Sequence, residues 1–158
     1  MTDYYLDAGA LVKRYAPELS SDWVLEITDP AAEHTAILSE ITLAEVAAAL
    51  AAKQQTPSGL TLEERDRALS RFLQDCAESF LPLQVDRSVI DRAVELTQSY
   101  RLRAHDAVQL ATALIANDDL VEQEHPPLVF VASDKDFLAP AQAEGLKVDN
   151  PARHLTSP

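Results

Sequence analysis

The chain has 158 residues, 47% hydrophobic and 25% charged, which is the composition of an ordinary globular protein and predicts one domain spanning residues 1–158. Thirteen Lys and Arg against 26 Asp and Glu give a net charge of −13, so composition offers no basic nucleic-acid-binding surface and any phosphate substrate needs local help. The longest apolar run, Val46–Ala52, is far too short to span a membrane, and Met1–Tyr5 opens with no basic or apolar signal segment; together with the single cysteine, Cys76, this leads us to expect a cytoplasmic protein with no membrane association.

In chain order, DYYLD (residues 3–7) reads as a short strand ending on Asp7, and Ala8–Tyr15 has helical spacing. Ser20 or Ser21 can cap a short helix around Trp23–Ile27. A strand over Ala36–Leu38 precedes an alanine-rich helix from about Thr42 to Lys53, which QTPSGL (55–60) breaks. Thr61 and Glu64 have the capping-box pattern and open a helix through Glu78, with Leu69, Phe72, Leu73 and Cys76 on one stripe. Phe80–Val85 reads as a strand. Asp86 caps the next helix, whose Val89, Ile90, Ala93, Val94, Leu96 and Tyr100 recur at three- and four-residue spacing.

A further helix is expected from about Ala104 to Asn117, then a polar loop tip at Glu122–Pro127 and a buried strand at Leu128–Ala132. A helix over Asp136–Glu144, ended by Gly145, leads to a last strand at Leu146–Val148. Strands alternating with helices throughout predict an α/β fold with a mainly parallel sheet covered by helices on both sides.

The three separated glycines exclude a phosphate loop and a dinucleotide fingerprint, and neither H-E-x-x-H nor G-x-S-x-G occurs. What the chain has in excess is carboxylate. In open α/β sheets ligands bind beyond the carboxyl ends of the strands. Asp7 and Asp134 stand at strand-to-helix junctions, while Asp106 and Glu45 fall in the first turns of helices. Capping and the helix dipole explain an acid at a helix start equally well. Glu45 has a specific structural explanation, since Thr42-x-x-Glu45 is itself a capping-box pattern.

Four blocks, YLDAGALVKRY (5–15), SEITLAEVAAAL (39–50), LRAHDAVQLATAL (102–114) and Val129–Val148 with VFVASDKDF and EGLKV, resemble in order and spacing the PIN-domain ribonucleases, in particular the toxins of VapBC-type toxin–antitoxin pairs. The resemblance covers nearly the whole chain. It implies a three-layer α/β/α fold in which Asp7, Glu45, Asp106 and Asp134 converge as the catalytic acids on Mg²⁺ or Mn²⁺, with Asp136 a candidate auxiliary. It further implies an RNA substrate, a cognate antitoxin protein and a homodimer. Family members often carry a small hydroxyl residue two positions after the first aspartate, and here that place is Gly9.

The chemistry suits the residues. Clustered carboxylates need a cation, and hard divalent cations take oxygen ligands while sharing their shell with phosphate. Lys13, Arg14, Arg101, Arg103 and Lys135 lie near the acidic blocks in sequence and could rim the cleft or pair with nearby acids. His105, and Tyr4, Tyr5 and Tyr100, are expected to have structural roles. Two other readings stay open: a catalytically weak PIN module that acts by binding protein or RNA, and a phosphatase using Asp7 as nucleophile.

Overall fold

The computed structural model of the chain describes residues 1–16 and 21–155. Its centre is a five-stranded, wholly parallel sheet in the order β3-β2-β1-β4-β5, formed by β1 (Asp3–Leu6), β2 (Thr35–Ser39), β3 (Leu81–Leu83), β4 (Val129–Val131) and β5 (Lys147–Asp149). The chain leaves β1 to build β2 and β3 on one side, then returns to place β4 and β5 on the other. The point of reversal is therefore between β1 and β4, where the register pairs Leu6 with Val131.

Both faces of the sheet are covered, as alternation along the strands requires. Leu6, Ala36, Leu38 and Val131 pack on one face with α1 (Ala8–Leu11), α2 (Ser21–Ile27), α3 (Ile41–Gln55) and α4 (Leu62–Glu78). Tyr5, Ile37 and Phe130 pack on the other with α5 (Arg87–Ser99), α6 (Ala104–Glu122) and α7 (Lys135–Ala143). The expected three-layer α/β/α arrangement is the one found.

Local expectations hold where a cap or breaker is explicit. Thr61 and Glu64 form both hydrogen bonds of the capping box at the start of α4, and the Asp86 carboxylate accepts from the Val89 amide to start α5. In the break between α3 and α4, a Cβ on Gly59 would lie 1.8 Å from the Lys53 carbonyl oxygen, so only glycine permits this close return.

Elsewhere tertiary packing moved the boundaries. The first helix is one turn, Ala8–Leu11, followed by a 3₁₀ turn at Val12–Arg14 in place of a helix to Tyr15. The penultimate helix runs on to Glu122, consuming the start of the expected loop. The chain also adds a 3₁₀ turn at Pro151–His154, pinned by stacking of His154 on Trp23 with centroids 3.9 Å apart. Of the two serines expected to cap α2, Ser20 lies outside the described residues and Ser21 is the helix's first residue. Leu73, Ile90 and Val94, placed by spacing on core stripes, are 45%, 40% and 57% exposed, because the sheet covers a narrower arc of α4 and α5 than their apolar residues span.

Candidate active site

At the carboxyl end of β1 the chain turns directly into a helix, and Asp7 is the hinge. Its amide donates to the Val131 carbonyl on β4 at 3.1 Å, which ties it to the reversal point. Its side chain caps α1, with Oδ1 accepting from the Ala10 amide at 2.8 Å. Asp134 does the same at the end of β4: Oδ1 accepts from the Asp136 amide at 2.9 Å to start α7. Capping thus occurs at both positions, and at each it engages one oxygen of a carboxylate that has two.

Glu45 is not a capping residue. Helix α3 starts at Ile41 with no side-chain cap, Thr42 is fully buried, and Glu45 Oε1 instead accepts from Gln109 Nε2 of α6 at 2.7 Å. The Thr42-x-x-Glu45 capping box is therefore absent: the helix begins upstream with Glu40 at the cap position, which puts Thr42 inside the helix and Glu45 beyond its first turn. Asp106, in the first turn of α6, faces Arg103 Nε and His105 Nε2, each at 3.3 Å.

Electrostatics link the four acids although they come from four elements. Burial is the largest cause that raises the Asp7 carboxyl from its ordinary 3.8 to about 7, the Ala10 amide opposes it, and Glu45, Asp106 and Asp134 each push it further up. Asp7 is therefore a carboxyl in a negative field, titrating near neutrality. Among the described residues, no three His, Cys, Asp or Glu side chains stand close enough to hold one ion as a set. The donor chemistry nevertheless fits a hard cation: the four groups offer only oxygen, and magnesium keeps several waters alongside one or two carboxylates and a substrate phosphate.

Asp106, Asp134 and Asp136 line a cleft of about 230 Å³ with Arg101, Leu102, Arg103 and Phe137. It shares Arg101, Leu102, Arg103 and Asp136 with a larger cavity of about 730 Å³ that continues to Tyr100, Ala139 and Pro140. Two of the five bases near the acidic blocks, Arg101 and Arg103, thus rim the acids. Arg14 does not: it turns to Asp75 of α4 at 3.3 Å and to Thr28. Lys135 faces a different cavity, with Asp149 and Arg153. Tyr4 and Tyr5 are packed as expected, Tyr4 edge-on to Trp23 and His34 and Tyr5 stacked on Phe130. Tyr100 borders the larger cavity and pairs with Glu144.

Sequence reasoning missed Gln109, which joins Tyr5, Thr42 and Glu45 in a buried polar network. The signal was there: Gln109 follows Asp106 by three residues, hence on the same helix face, within the apolar run Ala107–Leu114.

A doubly wound parallel sheet with Asp7 beside its reversal point, and a neighbouring cleft lined by Asp106, Asp134, Arg101 and Arg103, defines an α/β protein with a candidate site at the carboxyl ends of its strands. Comparison with known proteins specifies the class. Residues 4–142 match the PIN domain. Two curated relatives from Mycobacterium tuberculosis, Ribonuclease VapC45 (strain CDC 1551 / Oshkosh) and Ribonuclease VapC49 (strain ATCC 25618 / H37Rv), are each 32% identical over 148 residues, covering 91% of this chain and 92% of theirs. Among solved structures, a toxin–antitoxin complex from Klebsiella pneumoniae superposes with TM-score 0.62 at 21% identity, covering 94% of this chain and 97% of the other. PAE2754 from Pyrobaculum aerophilum does so with TM-score 0.64 at 16% identity, over 97% and 92%. The chain belongs to the PIN-domain family, as its four sequence blocks led us to expect.

Proposed function

We propose that this protein is a divalent-metal-dependent endoribonuclease and the toxin of a toxin–antitoxin pair, with Asp7, Glu45, Asp106 and Asp134 as its metal-binding catalytic acids. The observation that carries the reading is geometric: Asp7 turns from β1 into α1 beside the sheet's reversal point, and Asp106 and Asp134 line a cleft rimmed by Arg101 and Arg103, in keeping with the upward push that Glu45, Asp106 and Asp134 each give the buried Asp7 carboxyl. Such a cluster is unfavourable by itself and suits a site that receives positive charge. The names of the M. tuberculosis relatives add the substrate, RNA.

Mg²⁺ or Mn²⁺, when bound, would lower the pKa of a water and polarise a phosphoryl oxygen, so that water replaces one ester oxygen at phosphorus. The chain's own residues do the rest. Asp7 must lose its proton before its carboxylate can serve as a ligand, which couples occupancy to pH near neutrality. Arg101 and Arg103 supply guanidinium donors to the phosphates flanking the scissile one, offsetting locally the charge of −13. Asp136, exposed at the same cleft, is an auxiliary acid.

The antitoxin partner draws support from the neighbour described as a toxin–antitoxin complex, and the chain exposes apolar residues on two helices. Val46 and Leu50 are buried, but Ala44, Ala48 and Ala52 form an exposed small-residue stripe on α3, and Leu62 and Leu73 of α4 are 54% and 45% exposed. A homodimer and an antitoxin helix are the occupants we assign to these exposed residues of α3 and α4.

The test is cleavage of single-stranded RNA with Mg²⁺ or Mn²⁺. Asp7→Asn and Asp106→Asn should abolish cleavage while the fold survives, and EDTA-resistant cleavage or full activity in both variants would refute the reading. Gly9 favours a second reading, a catalytically weak binding module. A Cβ there would lie 3.7 and 3.9 Å from the two Asp7 oxygens, so glycine leaves that carboxylate without a neighbouring hydroxyl donor. Tight RNA or antitoxin binding by a metal-loaded wild type that does not cleave would select it.

A further inference from the structure

Helix α6 carries two buried polar residues among those described, Gln109 and Thr112, and they behave differently. Thr112 returns its hydroxyl to its own helix, donating to the Val108 carbonyl. Gln109 sends every polar atom out of α6. Its Nε2 donates to Thr42 Oγ1 and to Glu45 Oε1, both at 2.7 Å, and its Oε1 accepts from the Tyr5 hydroxyl at 2.5 Å. Both amide protons and the carbonyl are used, and Gln109, Thr42 and Tyr5 are at most 1% exposed. No buried side-chain nitrogen or oxygen is left without a partner among the described residues.

We propose that Gln109 is a positioning residue for Glu45: the amide holds one oxygen of the carboxylate and leaves the other to the metal or its water, while Tyr5 holds the amide the right way round. This rests on the reading of Glu45 as an acid of the site. The orientation is forced by chemistry. The Glu45 carboxylate can only accept and so takes the NH₂ group, while the Tyr5 hydroxyl, which can donate, takes the amide oxygen. The NH₂ group then necessarily faces Glu45. With the amide flipped, its oxygen would meet the carboxylate oxygen, two acceptors with no proton between them.

The residue type also fits the task. An arginine or lysine here would hold Glu45 equally well but would cancel the negative field at Asp7, to which Glu45 contributes. A neutral amide orients the carboxylate and leaves that field in place. The partners come from both sides of the sheet: Thr42 and Glu45 stand on α3, in the layer over one face, while Tyr5 packs on the opposite face, in the layer from which Gln109 of α6 comes. Gln109 thus joins the two helical layers at the site.

The test uses Mn²⁺ binding by calorimetry on the full chain, with kcat and KM for RNA cleavage measured alongside. Gln109→Met keeps length and removes the donors; Mn²⁺ should bind about 10- to 100-fold more weakly, and kcat should fall with KM little changed. In a Glu45→Ala background, Gln109→Met should cost no further Mn²⁺ affinity, a coupling that a purely structural role does not produce. Tyr5→Phe, which removes one oxygen from a stacked ring and retains Gln109, should shift Mn²⁺ affinity the same way and serves if Gln109→Met does not fold. Wild-type Mn²⁺ affinity and kcat in Tyr5→Phe and in folded Gln109→Met, beside a Glu45→Ala variant that has lost both, would overturn the positioning role and spare the site. Unchanged Mn²⁺ affinity in Glu45→Ala would overturn both.

Discussion

Replacing Asp7 by asparagine should stabilise the metal-free protein at alkaline pH and leave it nearly unchanged in acid. Asparagine caps a helix as well as aspartate, so the bond from the Ala10 amide is retained while the charge is removed. The sign follows from the direction of the shift. The Asp7 carboxyl is raised from 3.8 to about 7 in the folded chain, so folding favours its protonated form. The penalty for ionisation is therefore absent below about pH 4, grows between pH 4 and 7, and is complete above that. A separation of roughly three pH units corresponds to about 4 kcal/mol as an upper bound. Partial exposure of Asp7 brings the expectation nearer about 2 kcal/mol. For a chain of this length that is a rise in Tm of about 4–8 °C. Thermal unfolding in EDTA at pH 4 and pH 8, for wild type and variant, measures it. A variant no more stable than wild type at pH 8, or a gap equal at both pH values, would refute the reasoning.

Gly9→Ser has room for its Cβ and places a hydroxyl beside Asp7; it should lower the Asp7 pKa and stabilise the metal-free chain more at pH 8 than at pH 4, as denaturant titrations at the two pH values would show. Thr61→Ala removes half of a complete capping box and should cost about 1 kcal/mol of stability, with Mn²⁺ affinity unchanged because the box joins Thr61 and Glu64 and involves none of the four acids. Arg103→Ala breaks a mostly exposed ion pair with Asp106; stability should change by less than about 1 kcal/mol, while KM for RNA rises and its salt dependence weakens in steady-state kinetics.

Much of the fold was legible because its signals are local. Thr61 with Glu64, Asp86 ahead of its apolar stripe, and the β-branched run at Leu128–Ala132 each depend on neighbours within a few residues, and each forms nearly where expected. The acids at the strand ends were legible too, since a parallel α/β pattern says where ligands bind before the strand order is known. Strand order, and with it the pairing of Asp7 to Val131 across the reversal point, was not.

Glu45 marks the boundary between the two kinds of information. Its sequence context is a capping box, the same pattern that Thr61 and Glu64 realise, yet its oxygen bonds to Gln109, 64 residues away. The exposed start of α4 has only water to compete with its own cap, and the local pair forms. Helix α3 instead begins at Ile41 with Glu40 at its cap position, which puts Thr42 and Glu45 inside the helix, where the buried Thr42 hydroxyl and the Glu45 carboxylate satisfy an amide that has no water to turn to. An unpaired buried amide is costly, and that cost exists only once α6 has been folded against the sheet beside α3.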